Sequence, residues 1–270
     1  MASLIDIYLV ILLLAVGFVT GLLSGMLGIG GGVIYLPTLF FILPVIGIKD
    51  DFITVSVIAT SLFAGSIASL STFYNHKKRD NISLRNGITL GAGVIISAAF
   101  APKIIVNIEP SILKIIIAFF ISIVAIKLLF ANDKKEKIDR TINANWLFLF
   151  GLFFGGLAAI SGLGGGIFYV PILYYFLNGN LKLAVGTSTL VILLTMVSSS
   201  ISFLILNSEW DPEIFQLGYV NIASAVLLGF GAIFGAYYGV KLVFKVPLPI
   251  FRKIFSLFLL VIVLKIIEVV

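Results

Sequence analysis

Cysteine is absent from all 270 residues, and histidine occurs once. The first absence excludes disulfides, thiolate metal sites and cysteine nucleophiles. The second leaves no His-Glu-x-x-His site. Charge is scarce too: Asp, Glu, Lys and Arg make up 11% of the chain, against about a quarter in an ordinary soluble domain. Residues 7–48, 52–75, 141–181, 183–208 and 214–240 contain none of the four. No carboxylate lies inside these stretches, so neither a buried Asp/Glu proton relay nor a hydrolytic acid pair is visible. The reading is therefore not an enzyme, and no metal site or cofactor motif is found.

What remains is apolar. Hydrophobic residues make up 60% of the chain, and the mean hydropathy is +1.21. A membrane-spanning helix needs roughly 20 apolar residues. Several of the charge-free stretches hold one span, and two are long enough for more. The start, Met1-Ala2-Ser3-Leu4-Ile5-Asp6, has no basic residue, and the apolar run after it is too long for a signal peptide. It reads as the first membrane segment. The lipid bilayer is then the surrounding medium, and the net charge of +6 reports cytoplasmic loops rather than a nucleic-acid partner.

An internal repeat organises the chain. Gly28-Ile29-Gly30-Gly31-Gly32-Val33-Ile34-Tyr35-Leu36-Pro37-Thr38-Leu39 recurs as Gly162-Leu163-Gly164-Gly165-Gly166-Ile167-Phe168-Tyr169-Val170-Pro171-Ile172-Leu173, at an offset of 134 and with seven of twelve positions identical. Gly17 and Gly21 match Gly151 and Gly155 at the same offset. Ala59-Thr60-Ser61 resembles Gly186-Thr187-Ser188 at an offset of 127. Gly93, Ser97, Ala98 and Ala101 align with Gly231, Gly235, Ala236 and Gly239 at an offset of 138. Such repeats are common in secondary transporters. The expected fold is an all-α membrane protein of two repeats, residues 1–130 and 146–270, joined by a polar linker at 131–145. Each repeat divides into five apolar segments, roughly 7–28, 33–48, 52–75, 86–106 and 110–130, then 145–162, 167–178, 183–206, 214–240 and 249–268.

Charge placement orients the halves. If each half crosses the membrane an odd number of times, 14 of the 18 basic residues fall on one side, including Lys77, Lys78, Arg79, Lys182, Lys241 and the linker lysines. Basic loops stay cytoplasmic. The linker is then inside the cell, both termini are outside, and the second half is inverted relative to the first. Four crossings per half would split the same residues 10 to 8. Five full crossings and three crossings plus a re-entrant hairpin share this parity. Segment 167–178 has twelve residues and rises only about 18 Å, short of the hydrocarbon core. Partial penetration by broken, Gly-rich helices is the reading adopted.

Three consecutive glycines weaken a helix and leave backbone groups bare. In lipid such backbone is tolerated only against protein or a cavity. Gly30, Gly31 and Gly32, and their copies Gly164, Gly165 and Gly166, each precede a short apolar helix. Amides at a helix start offer donors and partial positive charge to an anion. The competing explanation is close helix packing, for which small residues suffice. Thr60, Ser61, Thr187 and Ser188 carry hydroxyls that either donate to an oxyanion or bond a carbonyl one turn back. Ser198, Ser199 and Ser200 read as helix-interface residues. Tyr35 and Tyr169 recur in register and either donate near the site or fill the core. Lys114, Lys127, Arg252 and Lys265 read as snorkelling side chains. His76, beside three basic residues, reads as a solvated loop residue.

The run Gly21-Leu22-Leu23-Ser24-Gly25-Met26-Leu27-Gly28-Ile29-Gly30-Gly31-Gly32, then Pro37, with its second copy through Pro171 and the later Gly186-Thr187-Ser188, resembles the sulfite exporter TauE/SafE family, also called the toluene-sulfonate uptake permease group. The resemblance covers essentially the whole chain. It implies transport of sulfite, thiosulfate, a sulfonate or a related organosulfur anion in a prokaryotic plasma membrane. Thr60-Ser61-Leu62 matches the family's Thr-Ser pattern, although Ala59 stands where the second copy has Gly186. The resulting expectation is a secondary transporter working by alternating access, with a passive anion channel as the alternative. A homo-oligomer is compatible with the sequence, which does not specify one.

Overall fold

Without water, backbone groups must pair within their own segment, and helices do this best. The computed structural model follows that rule. It describes residues 2–28, 30–48, 50–129, 144–206 and 209–242, together with 256, 257, 259, 260, 263 and 264. The helices are α1 Ala2–Leu27, α2 Gly32–Val45, α3 Asp50–Lys77, α4 Leu84–Ile105, α5 Pro110–Leu129, α6 Ala144–Ile160, α7 Gly166–Phe176, α8 Leu181–Leu206 and α9 Ile222–Leu242. Nearly all of the linker 131–145 and most of the tenth expected segment, 249–268, lie outside the described residues, as do Arg252, Lys265 and the side chain of Lys127.

Among the described residues five helices are long and apolar enough to cross a bilayer: Ile7–Leu27, Phe52–Lys77, Leu84–Ile105, Leu181–Leu206 and Ile222–Leu242. By contrast α2 has 14 residues and α7 has 11, so they rise only about 21 and 17 Å. The surface is apolar. Phe100, Phe119, Phe153, Phe230 and Phe234 face outward while Thr20, Thr187, Thr195 and Ser199 are buried. An exposed aromatic surface over a hydroxyl-bearing interior suits hydrocarbon as the surrounding medium.

Glycines let the outer helices lie backbone to backbone. Helix α1 runs along α9, and α6 runs along α4. A Cβ on Gly17 would strike the carbonyl of Leu228, and one on Gly151 would strike the carbonyl of Leu90. These two contacts exchange under the 134 and 138 offsets. The long helices α3 and α8 touch each other at the centre; α3 also packs on α9, and α8 on α4. The hydroxyl of Ser199 donates to the carbonyl of Ala98 at 3.0 Å, so this member of the serine run serves a helix interface. Arg79 Nη1 donates to Val240 O at 3.4 Å, which brings the basic turn after α3 beside the end of α9. Those basic groups were expected to share a side.

Two expectations need correction. Residues 214–221 are not the start of a membrane helix. They belong to a small antiparallel sheet, β1 Trp210–Asp211, β2 Gln216–Leu217 and β3 Val220–Asn221, ordered β1-β2-β3. Phe215 and Gly218 take φ of 53° and 56° there, and Asn221 Oδ1 accepts the Ser224 amide at 2.9 Å and caps α9. His76 is not solvated. Helix α3 continues through it to Lys77, leaving His76 2% exposed. Its Nε2 bonds the carbonyl of Gly25 at 3.2 Å. A carbonyl only accepts, so Nε2 carries the proton.

Candidate functional site

The two glycine turns touch each other. A Cβ on Gly32 would strike the carbonyl of Gly162 and come within 2.6 Å of Leu163 Cα; one on Gly30 would come within 2.9 Å of Leu163 O. Only glycine permits that approach. Gly30 and Gly164 both take left-handed backbone, φ 83° and 81°. The central glycines differ: Gly31 is right-handed at φ −82°, whereas Gly165 is left-handed at φ 87°.

Helices α3 and α8 fasten both turns. Ser61 Oγ donates to Gly162 O at 3.1 Å. Ser188 Oγ, its counterpart, lies 3.4 Å from Gly28 O but donates mainly to Val185 O at 2.7 Å, one turn back. The neighbouring threonines hold something else. Thr60 Oγ1 accepts the Asn221 amide at 3.0 Å, and Thr187 Oγ1 accepts the Ser83 amide at 2.9 Å. Each Thr-Ser pair thus anchors one glycine turn and one helix start, those of α9 and α4. The 134, 127 and 138 offsets convert each bond into its partner. Because each threonine accepts here, its hydroxyl proton remains to donate, and it has no acceptor among the described residues.

The amides of the second turn are the chemical feature of the site. Ser161, Gly162, Leu163, Gly164, Gly165 and Gly166 are all buried. Phe168 and Tyr169 both send their N–H groups to Gly165 O, at 2.9 and 3.0 Å. Leu163, Gly164, Gly165 and Gly166 have no acceptor for theirs among the described residues. Gly165, the N-cap, and Gly166 are orphan donors of the start of α7, and Leu163 and Gly164 lead into it. A buried donor left unpaired costs about 1–3 kcal/mol.

Sequence reading placed the ten candidate residues in one centre, and the structure divides their duties. Gly30 and Gly32 line the contact between the turns, Gly164 lies against Met196, and Gly166 opens α7. Gly31 and Gly165 lie beneath the rings of Tyr35 and Tyr169, where an added Cβ would strike the ring. Thr60, Ser61, Thr187 and Ser188 sit one layer out, on the fastening bonds. Sequence reading missed Met196. Its thioether fills the gap beside both turns: a Cβ on Gly30 would lie 3.7 Å from Met196 Cε, and Cβ atoms on Gly164 and Gly65 would strike the same side chain. By the 127 offset Met196 corresponds to Ser69, so the repeat gave no signal for it. No group of three or more metal-ligating side chains occurs among the described residues.

The profile of the family described as sulfite exporter TauE/SafE matches residues 13–266. A "Probable membrane transporter protein" of Methanocaldococcus jannaschii is 34% identical over 232 residues, which cover 86% of this chain and 85% of the relative. One of the same description from Haemophilus influenzae is 27% identical over 263 residues, covering 95% and 97%. The Bacillus subtilis relative YdhB, similarly named, is 26% identical over 249 residues, covering 90% and 94%. No solved structure matches significantly. A helical membrane bundle with doubled glycine turns and a family match over nearly its whole length, this chain belongs to the sulfite exporter TauE/SafE family of membrane transporters.

Proposed function

We propose that the chain is a secondary transporter that carries a small sulfur-containing anion, such as sulfite, thiosulfate or a sulfonate, across the plasma membrane by alternating access. The anion binds between the two glycine turns. The observation that carries this reading is the run of amides on the buried residues Leu163, Gly164, Gly165 and Gly166, none of which has an acceptor among the described residues. They lead into and open α7, where the helix dipole also favours negative charge. Missing Cβ atoms let an oxyanion approach the backbone, and the hydroxyl protons of Thr60 and Thr187 are further donors. Sulfur enters this reading through the family.

In this account residues 1–130 and 146–270 are inverted repeats about a cytoplasmic linker at 131–145, with both termini outside. Helices α2 and α7 penetrate partway from opposite faces. The exchange of contacts under the repeat offsets supports a two-fold relation, and the distribution of basic residues supports inversion. Met196 sits where the anion is to bind, so it must swing aside during the cycle. Unbranched and flexible, methionine suits that movement.

The test is uptake of labelled sulfite, thiosulfate, sulfoacetate and chloride into proteoliposomes, comparing wild type with Gly31→Leu and Gly165→Leu. Saturable sulfur-anion flux that both variants lose is expected. Unchanged flux in both contradicts the glycine site. Flux that never moves substrate uphill favours the channel.

A further inference from the structure

The two tyrosines over the glycine turns are alike in packing and unlike in hydrogen bonding. Each ring covers the central glycine of its turn, Tyr35 over Gly31 and Tyr169 over Gly165, and both side chains are fully buried. The Tyr169 hydroxyl lies 2.8 Å from Thr195 Oγ1. Thr195 spends its own proton on Val191 O at 2.8 Å, so Tyr169 is the donor. At the 127 offset the residue corresponding to Thr195 is Ala68, which has no hydroxyl. The Tyr35 hydroxyl is accordingly buried with no hydrogen-bond partner among the described residues.

Packing accounts for the ring but not for the oxygen. Phenylalanine would cover Gly31 equally well, and the chain uses 24 of them. An unpaired phenol in a membrane interior is penalised, because no bulk water reaches it. The asymmetry extends to the backbone, since Gly31 is right-handed and Gly165 left-handed. Tyr169 spends its proton on Thr195 of α8, whereas Tyr35 keeps its donor in reserve.

We infer that the Tyr35 hydroxyl is a specificity-determining ligand contact that donates a hydrogen bond to one oxygen of the transported oxyanion, adding a first-half side chain to the second-half amides. This rests on the glycine-turn site proposed above. A hydrogen bond to a charged acceptor is stronger than one to a neutral group, and its loss weakens binding about tenfold or more.

The experiment measures the KM and kcat of labelled sulfite and thiosulfate uptake in proteoliposomes. The proteins are wild type, Tyr35→Phe, Ala68→Thr and Tyr169→Phe. Tyr35→Phe is expected to raise KM about tenfold or more with little change in kcat. Ala68→Thr supplies the acceptor that Tyr169 already has, diverts the Tyr35 proton and is expected to raise KM similarly. Tyr169→Phe breaks an internal bond and leaves KM within about twofold. If Tyr35→Phe fails to reconstitute, Ala68→Thr carries the same test. A transporting wild type whose KM is unmoved by either substitution overturns the inference and leaves the functional reading standing. A wild type that neither binds nor moves any sulfur oxyanion overturns both.

Discussion

The hydroxyl of Ser61 donates to the carbonyl oxygen of Gly162 across 3.1 Å and ties α3 to the turn ahead of α7. Its counterpart, Ser188 to Gly28, is longer at 3.4 Å, and Ser188 has a closer acceptor in Val185. Equivalent positions in the repeat are therefore not energetically equivalent. Ser61→Ala strands a buried carbonyl and is expected to destabilise the protein by about 1–3 kcal/mol. Ser188→Ala is expected to cost less than about 1 kcal/mol. Thermal unfolding in detergent compares the two; equal losses contradict the assignment.

The adjacent glycines of α6 give a sharper contrast. A Cβ on Gly155 would strike Ser97 and come within 2.8 Å of Val94 Cα, whereas one on Gly156 would meet only Ser97 Cβ, at 3.7 Å. Gly155→Ala is expected to overpack the α4–α6 contact and destabilise by about 1–3 kcal/mol. Gly156→Ala is expected to be neutral or to stabilise by up to about 1 kcal/mol through helix propensity. The same unfolding measurement distinguishes them.

Met196 predicts a split between stability and transport. Met196→Ala opens a cavity beside Gly30, Gly65 and Gly164 and is expected to cost about 2–5 kcal/mol in unfolding. If the thioether must leave the centre during each cycle, the same variant moves substrate faster and discriminates less between sulfite and larger sulfonates. Initial rates for both substrates check this; a slower variant with unchanged selectivity rejects a gating role.

His76 joins α3 to α1 through Gly25. His76→Ala removes that bond and leaves a buried carbonyl unpaired, an expected loss of about 1–3 kcal/mol. His76→Leu fills the space without the bond and is expected to lose nearly as much. Full stability in His76→Leu would show that the ring only fills volume.

Much of this was legible in the sequence because a membrane imposes simple rules. Charge-free stretches of adequate length gave the helices, and the repeated GlyGlyGly gave the centre. What was hidden depends on depth and on broken symmetry. The segment beginning at Ile214 is charge-free, so hydropathy carried the helix back over residues that Asn221 and Gly218 turn into a small sheet. His76 neighbours Lys77, Lys78 and Arg79, and composition could not show that the last turn of α3 points it inward. Met196 and Ala68 carry no repeat signal, since their importance lies in differing from Ser69 and Thr195. The threonines and serines were read as one donor group, whereas backbone geometry splits them between helix starts and turn carbonyls.

Counterflow tests the central claim most directly. Proteoliposomes loaded with unlabelled sulfite are diluted into a trace of labelled sulfite, with the voltage clamped to zero. A carrier with one alternately exposed site predicts a transient accumulation of label above its equilibrium level, abolished in Gly165→Leu. Label that only rises to equilibrium, or that accumulates equally in Gly165→Leu, contradicts the account.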